Sequence, residues 1–122
     1  MCLRILVADD NHDSANSCAL LLQLSGHEVR VAYSGGAALE IAAEYLPHLA
    51  LIDIRMPHMD GYEVARRMRA EKGGKSILLV AVTGLGQMAD KLEAESAGFD
   101  LHLAKPYNLE SLKPLIARCS PK

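Results

Sequence analysis

Aromatic side chains are scarce in this chain: tryptophan is absent, phenylalanine occurs once and tyrosine four times among 122 residues. So few rings leave little to cover a flavin. The segment where a flavin phosphate would need glycines and hydroxyls, Asp9-Asp10-Asn11-His12-Asp13, is acidic and would repel it. Cysteine is sparse too. Cys2, Cys18 and Cys119 form neither a close pair nor a metal-type cluster, and an odd count without a signal peptide favours reduced thiols and a cytoplasmic setting. No apolar run approaches the roughly 20 residues of a membrane span, so neither a transmembrane helix nor a secretory h-region is present and no membrane insertion is expected. A formal net charge of −2 gives no electrostatic reason for direct nucleic-acid or membrane-surface binding. Arg66-Arg67 with Arg69 reads as the solvated face of a helix. His12, His27, His48 and His58 are scattered over turns without zinc-type spacing and read as solvated, His12 and His58 lying near the candidate pocket described below.

What is present is an alternating pattern. Half the residues are hydrophobic, enough for one domain spanning residues 1–122 to bury a sizeable core. Ile5-Leu6-Val7-Ala8, Leu49-Ala50-Leu51-Ile52 and Ile77-Leu78-Leu79-Val80-Ala81-Val82 are near-continuous apolar runs of strand length, as expected for parallel strands covered on both faces. Glu28-Val29-Arg30-Val31 alternates instead, which predicts an edge strand with one wet face. Leu101-His102-Leu103-Ala104 supplies a fifth strand that ends before Pro106. Helical segments are expected over roughly 13–25, 36–44, 61–69, 87–97 and 109–118. In the last, Leu112, Leu115, Ile116 and Cys119 form one stripe behind an Asn108 cap, with Pro114 about two turns in. Asp60 and Glu63 have the spacing of a capping pair. Gly26, Gly73-Gly74 and Gly98 stand where left-handed residues end helices. Strict β-α alternation implies an α/β fold with a parallel sheet, helices on both faces and right-handed crossovers.

In such a sheet ligands bind beyond the carboxyl ends of the strands. There the chain places Asp9-Asp10 after the first run, Asp53 after the third, Thr83 after the fourth and Lys105 after the fifth. Successive strand residues face opposite ways, so Asp9 and Asp10 line one site only where the strand turns into a helix. Any single Asp at such a turn is explained as a helix cap or a solvated group. A third carboxylate from another strand changes the argument, because three anions repel unless a cation neutralises them. Mg2+ suits an all-oxygen site, since it takes a few carboxylates, keeps waters and accepts phosphoryl oxygens. A carboxylate beside it is then a competent nucleophile toward phosphorus, with Lys105 and Thr83 as donors to phosphoryl oxygens.

Asp9-Asp10, Asp53 with Met56-Pro57 and Asp60-Gly61, Thr83-Gly84 and Lys105-Pro106 together resemble the receiver domains of two-component response regulators, over essentially the whole chain. The resemblance implies a flavodoxin-like (βα)5 three-layer sandwich with a five-stranded parallel sheet in order 2-1-3-4-5. By it, Asp53 is the phosphoacceptor, taking a phosphoryl group from a phosphohistidine on a sensor histidine kinase or a histidine phosphotransfer protein. Asp10 and Asp53 ligate Mg2+ by side chain, Arg55 by its backbone carbonyl, and Asp9 often through water. Lys105 pairs with the phosphoryl group, Thr83 bonds it after a loop movement, and the face of the fourth helix, fifth strand and fifth helix carries the output to a downstream protein. In that family the bond before the proline equivalent to Pro106 is commonly cis.

The chain departs from the family pattern in places. His102 stands where Tyr or Phe usually turns inward as the threonine moves; it is either a half-exposed strand histidine or an imidazole performing that task. Arg55 and Leu85 hold the positions that tune acyl-phosphate lifetime. The segment from Phe99 to Tyr107 lacks the markers of receivers that dimerise to drive winged-helix DNA binding, which points to a hybrid kinase receiver or a single-domain relay. Two alternatives stay open. A haloacid-dehalogenase-like Mg2+ phosphatase uses a similar Asp, Thr and Lys set but needs a second Asp where this chain has Arg55, and it would turn over small substrates; a pseudo-receiver would bind partners without phosphorylation.

Overall fold

The computed structural model describes residues 2–71, 73–84, 91–105 and 107–119. The apolar runs become strands and the intervening segments helices: β1 (Arg4–Ala8), α1 (His12–Leu24), β2 (Glu28–Ala32), α2 (Gly35–Tyr45), β3 (Leu49–Asp53), α3 (Gly61–Ala70), β4 (Leu78–Thr83), α4 (Lys91–Ala97), β5 (Leu101–Ala104) and α5 (Leu109–Cys119), with a 3-10 turn over Gly74–Ser76. Every strand pairing is parallel, and the sheet order is β2-β1-β3-β4-β5. This is the expected flavodoxin-like topology, with β2 and β5 at the edges.

The period-two alternation of the strands sorts the core into two layers. Leu6, Ala8, Ala50, Ile52, Leu79 and Ala81 pack against α2, α3 and α4, meeting Ala38, Val64, Met68 and Ala94. Ile5, Val7, Leu49, Leu51, Val80 and Val82 pack against α1 and α5, meeting Cys18, Leu22, Leu112 and Leu115. On β2 the apolar side is only half covered, with Val29 and Val31 partly buried and Glu28 and Arg30 exposed, as its alternation predicts.

Helix starts follow local chemistry. Asn11 Oδ1 accepts the Ser14 N–H at 3.0 Å, Ser34 Oγ the Ala37 N–H at 3.2 Å, Asp60 Oδ1 the Glu63 N–H at 3.0 Å and Asn108 Oδ1 the Ser111 N–H at 3.1 Å. The first two caps place the starts of α1 and α2 one residue earlier than periodicity suggested. Expected boundaries for the fourth helix fall partly outside the described residues. At the helix ends Gly26, Gly73 and Gly98 take positive φ, while Gly74 opens the 3-10 turn instead. Leu46, a non-glycine at φ 48°, ends α2. Arg4 compensates the strain, its guanidinium donating to the Tyr45 carbonyl at 3.0 Å and the Leu46 carbonyl at 2.8 Å. Pro114 is accommodated inside α5.

Two expectations about polar residues are corrected. Arg69 is not solvated: it donates to the carbonyls of Gly74 and Ile77 at 2.7 Å each and of Gly98 at 2.7 and 2.9 Å, and pairs with Asp100 at 2.7 Å. Asp100 in turn accepts the Leu79 N–H at 2.9 Å. One planar fork thus ties the end of α3 to the start of β4 and to the loop before β5. His27 and His48 are likewise structural. The Leu3 N–H donates to His27 Nδ1 at 3.2 Å and the Arg4 N–H to His48 Nδ1 at 2.9 Å, satisfying the backbone where β1 begins.

The position of α3 depends on a close approach. A Cβ at Gly61 would lie 2.6 Å from the Asp53 carbonyl oxygen and 2.7 Å from the Ile54 Cα, so the helix start abuts the end of β3 and carries the Gly61 N–H to the Ile54 carbonyl at 2.8 Å. Gly36 on α2 meets nothing within 4 Å. Gly61→Ala should therefore lower the unfolding free energy by about 1–3 kcal/mol through overpacking, while Gly36→Ala should raise it by roughly 0.5–1 kcal/mol through helix propensity. Urea unfolding of both variants checks the opposite signs. His27 makes a pH prediction. Burial holds its pKa below the ordinary 6.5, so its contribution is fully present above the unfolded-state value and is lost as pH falls from there toward the lower folded-state value, where protonated Nδ1 stops accepting. Wild-type stability should fall between about pH 8 and pH 5 more steeply than that of His27→Asn, whose amide keeps an acceptor there; parallel pH profiles would refute this.

Candidate metal and phosphoryl site

Strand register brings the acids together. Val7 pairs with Leu51 and Ala8 with Ile52, so the next residue on each strand brings Asp9 opposite Asp53. Asp53 itself pairs with Val82, and Thr83 with Ala104, which places Lys105 one step beyond. Backbone bonds carry the ladder past the strand ends: the Ile54 N–H donates to the Val82 carbonyl at 3.1 Å and the Lys105 N–H to the Thr83 carbonyl at 2.8 Å. One carboxylate oxygen from each of Asp9, Asp10 and Asp53 lies within 4.8 Å of the other two. Asp9 and Asp53 are buried and Asp10 is exposed. Asn11 caps α1, so neither Asp9 nor Asp10 is needed as the helix cap.

Lys105 bridges the two buried acids, its Nζ 2.7 Å from Asp9 Oδ2 and 3.0 Å from Asp53 Oδ2. The remaining oxygens are also held: the Arg55 N–H donates to Asp53 Oδ1 at 2.9 Å and the Asn11 N–H to Asp9 Oδ1 at 3.0 Å. Burial raises the pKa of the Asp53 carboxyl, with the Asp9 charge adding to it. Burial pushes Asp9 the same way, but the Lys105 ammonium and the Asn11 N–H outweigh it and hold that carboxyl below its usual value. Desolvation alone would weaken the Lys105 ammonium; its hydrogen bonds to Asp9 and Asp53 raise its pKa instead.

One ammonium against three carboxylates leaves an excess of two negative charges, the charge of one divalent cation. Donors are all oxygen, and their spread is close to the about 4.2 Å across a magnesium octahedron. The residues present therefore fit Mg2+. Of the other expected site residues, Thr83 is buried at the end of β4, the Arg55 side chain is exposed while its N–H faces Asp53, and His102 is exposed on β5. Leu85 and Pro106 lie outside the described residues. Sequence reasoning did not find two neighbours of the site. Tyr33, just past β2, stacks on His12, and Tyr107 packs into the α1 and α5 layer behind Lys105. Neither signal is available from spacing, because both partners are distant in sequence.

Comparison with known proteins agrees with this geometry. Residues 5–117 match the family described as the response regulator receiver domain. Response regulator MprA of a Mycobacterium species is 33% identical over 125 residues, covering 99% of this chain and 54% of the relative. The DNA-binding dual master transcriptional regulator RpaA of a Synechocystis species is 30% identical over 109 residues, covering 89% of this chain and 45% of the relative. This chain thus spans about half the length of these two relatives. Among solved structures, chemotaxis protein CheY4 of Vibrio cholerae superposes with a TM-score of 0.90 at 26% identity, covering 98% of this chain and 100% of that one. The receiver domain of sensor histidine kinase PA1611 from Pseudomonas aeruginosa, solved with a magnesium ion coordinated in its active-site cleft, gives 0.87 at 27% identity, with 97% of each chain covered. No described helix is long and apolar enough to cross a membrane. With topology, acid cluster and family match in agreement, the chain belongs to the response regulator receiver domains of two-component signalling.

Proposed function

We propose that Asp53 is the phosphoacceptor and that the chain relays a phosphoryl group from a partner's phosphohistidine. The observation that carries this reading is the Lys105 bridge between Asp9 and Asp53 at the mouth of the sheet. It sets a buried carboxylate among groups whose charges only make sense with more positive charge nearby. A bound Mg2+ would supply the charge that lets an anionic carboxylate meet an anionic donor. Asp10 and Asp53 would hold it by side chain and Arg55 by its backbone carbonyl. Asp9 would act through water, as the family resemblance implies.

In the transfer an Asp53 oxygen attacks phosphorus, the P–N bond to the partner imidazole breaks, and the imidazole leaves with the electron pair. Lys105, which shares its ammonium between two carboxylates beforehand, then turns toward the new phosphoryl oxygens, and the Thr83 hydroxyl donates to the same group. Movement of Thr83 is felt directly at β5, because its carbonyl holds the Lys105 N–H and its strand partner is Ala104. Phosphorylation thereby favours one of two arrangements of the face made by α4, β5 and α5. The donor is a sensor histidine kinase or a histidine phosphotransfer protein, the receiver of the signal is a protein engaging that face, and the setting is cytoplasmic. Arg55, in place of the second acid that a haloacid-dehalogenase phosphatase requires, disfavours turnover of small phosphate esters.

Incubation with acetyl phosphate and Mg2+ should add the mass of one phosphoryl group to the wild-type protein. Asp53→Asn and wild type in excess chelator should add none. Intact-mass spectrometry reads the result, and equal labelling of Asp53→Asn would remove Asp53 as the acceptor.

A further inference from the structure

Asp9 and Asp10 sit on the short loop between β1 and α1, facing Asp53 at the end of β3, and the charges of the three work to push that loop away. On one side the loop is fixed by strand bonds, the Asp9 N–H donating to the Ala32 carbonyl at 3.0 Å. On the other side it runs into the first turn of α1, and there the next residue of the chain, Tyr33, acts. Its ring stacks on His12 with centroids 3.8 Å apart and planes at 15°. Its hydroxyl donates to Asn16 Oδ1 at 2.7 Å. His12 and Asn16 are four residues apart and lie on one face of the helix, so a single half-exposed side chain grips that face at both ends. Consecutive residues Ala32 and Tyr33 therefore hold the two ends of the segment that contains Asp10, the exposed member of the trio.

We infer that Tyr33 and His12 are positioning residues for the metal-binding loop: their stack holds Asp10 in place against the repulsion of Asp9 and Asp53, and so sets the affinity for a divalent cation. The inference rests on the proposed function in so far as Mg2+ is the cation. Neither ring is a ligand in this account. The stack is a surface contact, distinct from the core layers, so its loss affects the loop more than the fold.

The test is Mg2+ titration by calorimetry, together with amide hydrogen exchange at Asp10 and Asn11 in the metal-free protein. Tyr33→Ala and His12→Ala should each weaken Mg2+ binding by about tenfold, the range seen when an outer support of a metal ligand is lost, and should speed exchange at both amides. His12→Phe, which restores a ring to stack, should return affinity to within about twofold of wild type. Arg69→Ala serves as a control, since it loosens the far side of the molecule and should leave Mg2+ affinity unchanged. Unaltered affinity and exchange in both alanine variants would overturn the inference. Wild type that binds no Mg2+ at millimolar concentrations would instead overturn the proposed function, and loop exchange alone would then decide whether the stack positions the acids.

Discussion

Like charge confined to a small volume is the constraint on which this molecule turns. Asp9 and Asp53 are buried side by side because register demands it, and water cannot screen them there. Lys105 relieves part of the repulsion by bridging them, and backbone N–H groups of Asn11 and Arg55 relieve more. What remains is an excess of negative charge that a divalent cation fits. Under the proposed phosphorylation such a site would respond to added charge, since a new phosphoryl group would compete for the same ammonium that bridges Asp9 and Asp53.

The stability of the site is borrowed from the layers beneath. Apolar side chains of β1, β3 and β4 point alternately to the two faces, so both faces of these central strands are dry and the strands are held in one register. A slip of a single residue would exchange the two core layers and move Asp9 away from Asp53. Gly61 adds a second restraint, letting α3 press against the carbonyl of Asp53 itself. Side chains at the mouth need no packing role of their own, which leaves them available for chemistry.

Strands, helices and the acid, threonine and lysine set were legible in the sequence because each leaves a local mark: an apolar run, a cap, a polar residue just past a strand. Asp60 with Glu63, and Asn108 as a cap, were visible on the same ground. Arg69 was not. Its partners are the backbone carbonyls of residues 74, 77 and 98, and a carbonyl has no signature in sequence. His27 and His48 escaped for the same reason, since they accept backbone N–H groups from the start of β1. Leu46 broke the rule that left-handed helix ends are glycines, and only the distant Arg4 explains how it can. Tyr33 on His12 is a contact between the segment after β2 and the first turn of α1 that only topology brings together.

The two ends of the sheet obey opposite rules. At the N-terminal ends of the strands several polar groups are matched, Arg4 with the end of α2, His27 and His48 with β1, and Arg69 with carbonyls around the start of β4, although the buried Tyr45 hydroxyl is left without a partner among the described residues. These pairings are neutral or of opposite charge, and they leave that end with one stable arrangement. At the C-terminal ends the acids are paired with too little positive charge, and a change of charge shifts the balance. A parallel sheet makes the division possible, because all its strands end on the same side, so groups following different strands meet at one mouth while the other end serves only to fix the register. The proposed phosphorylation would therefore act on a charge mismatch at one end of a sheet whose other end holds the register.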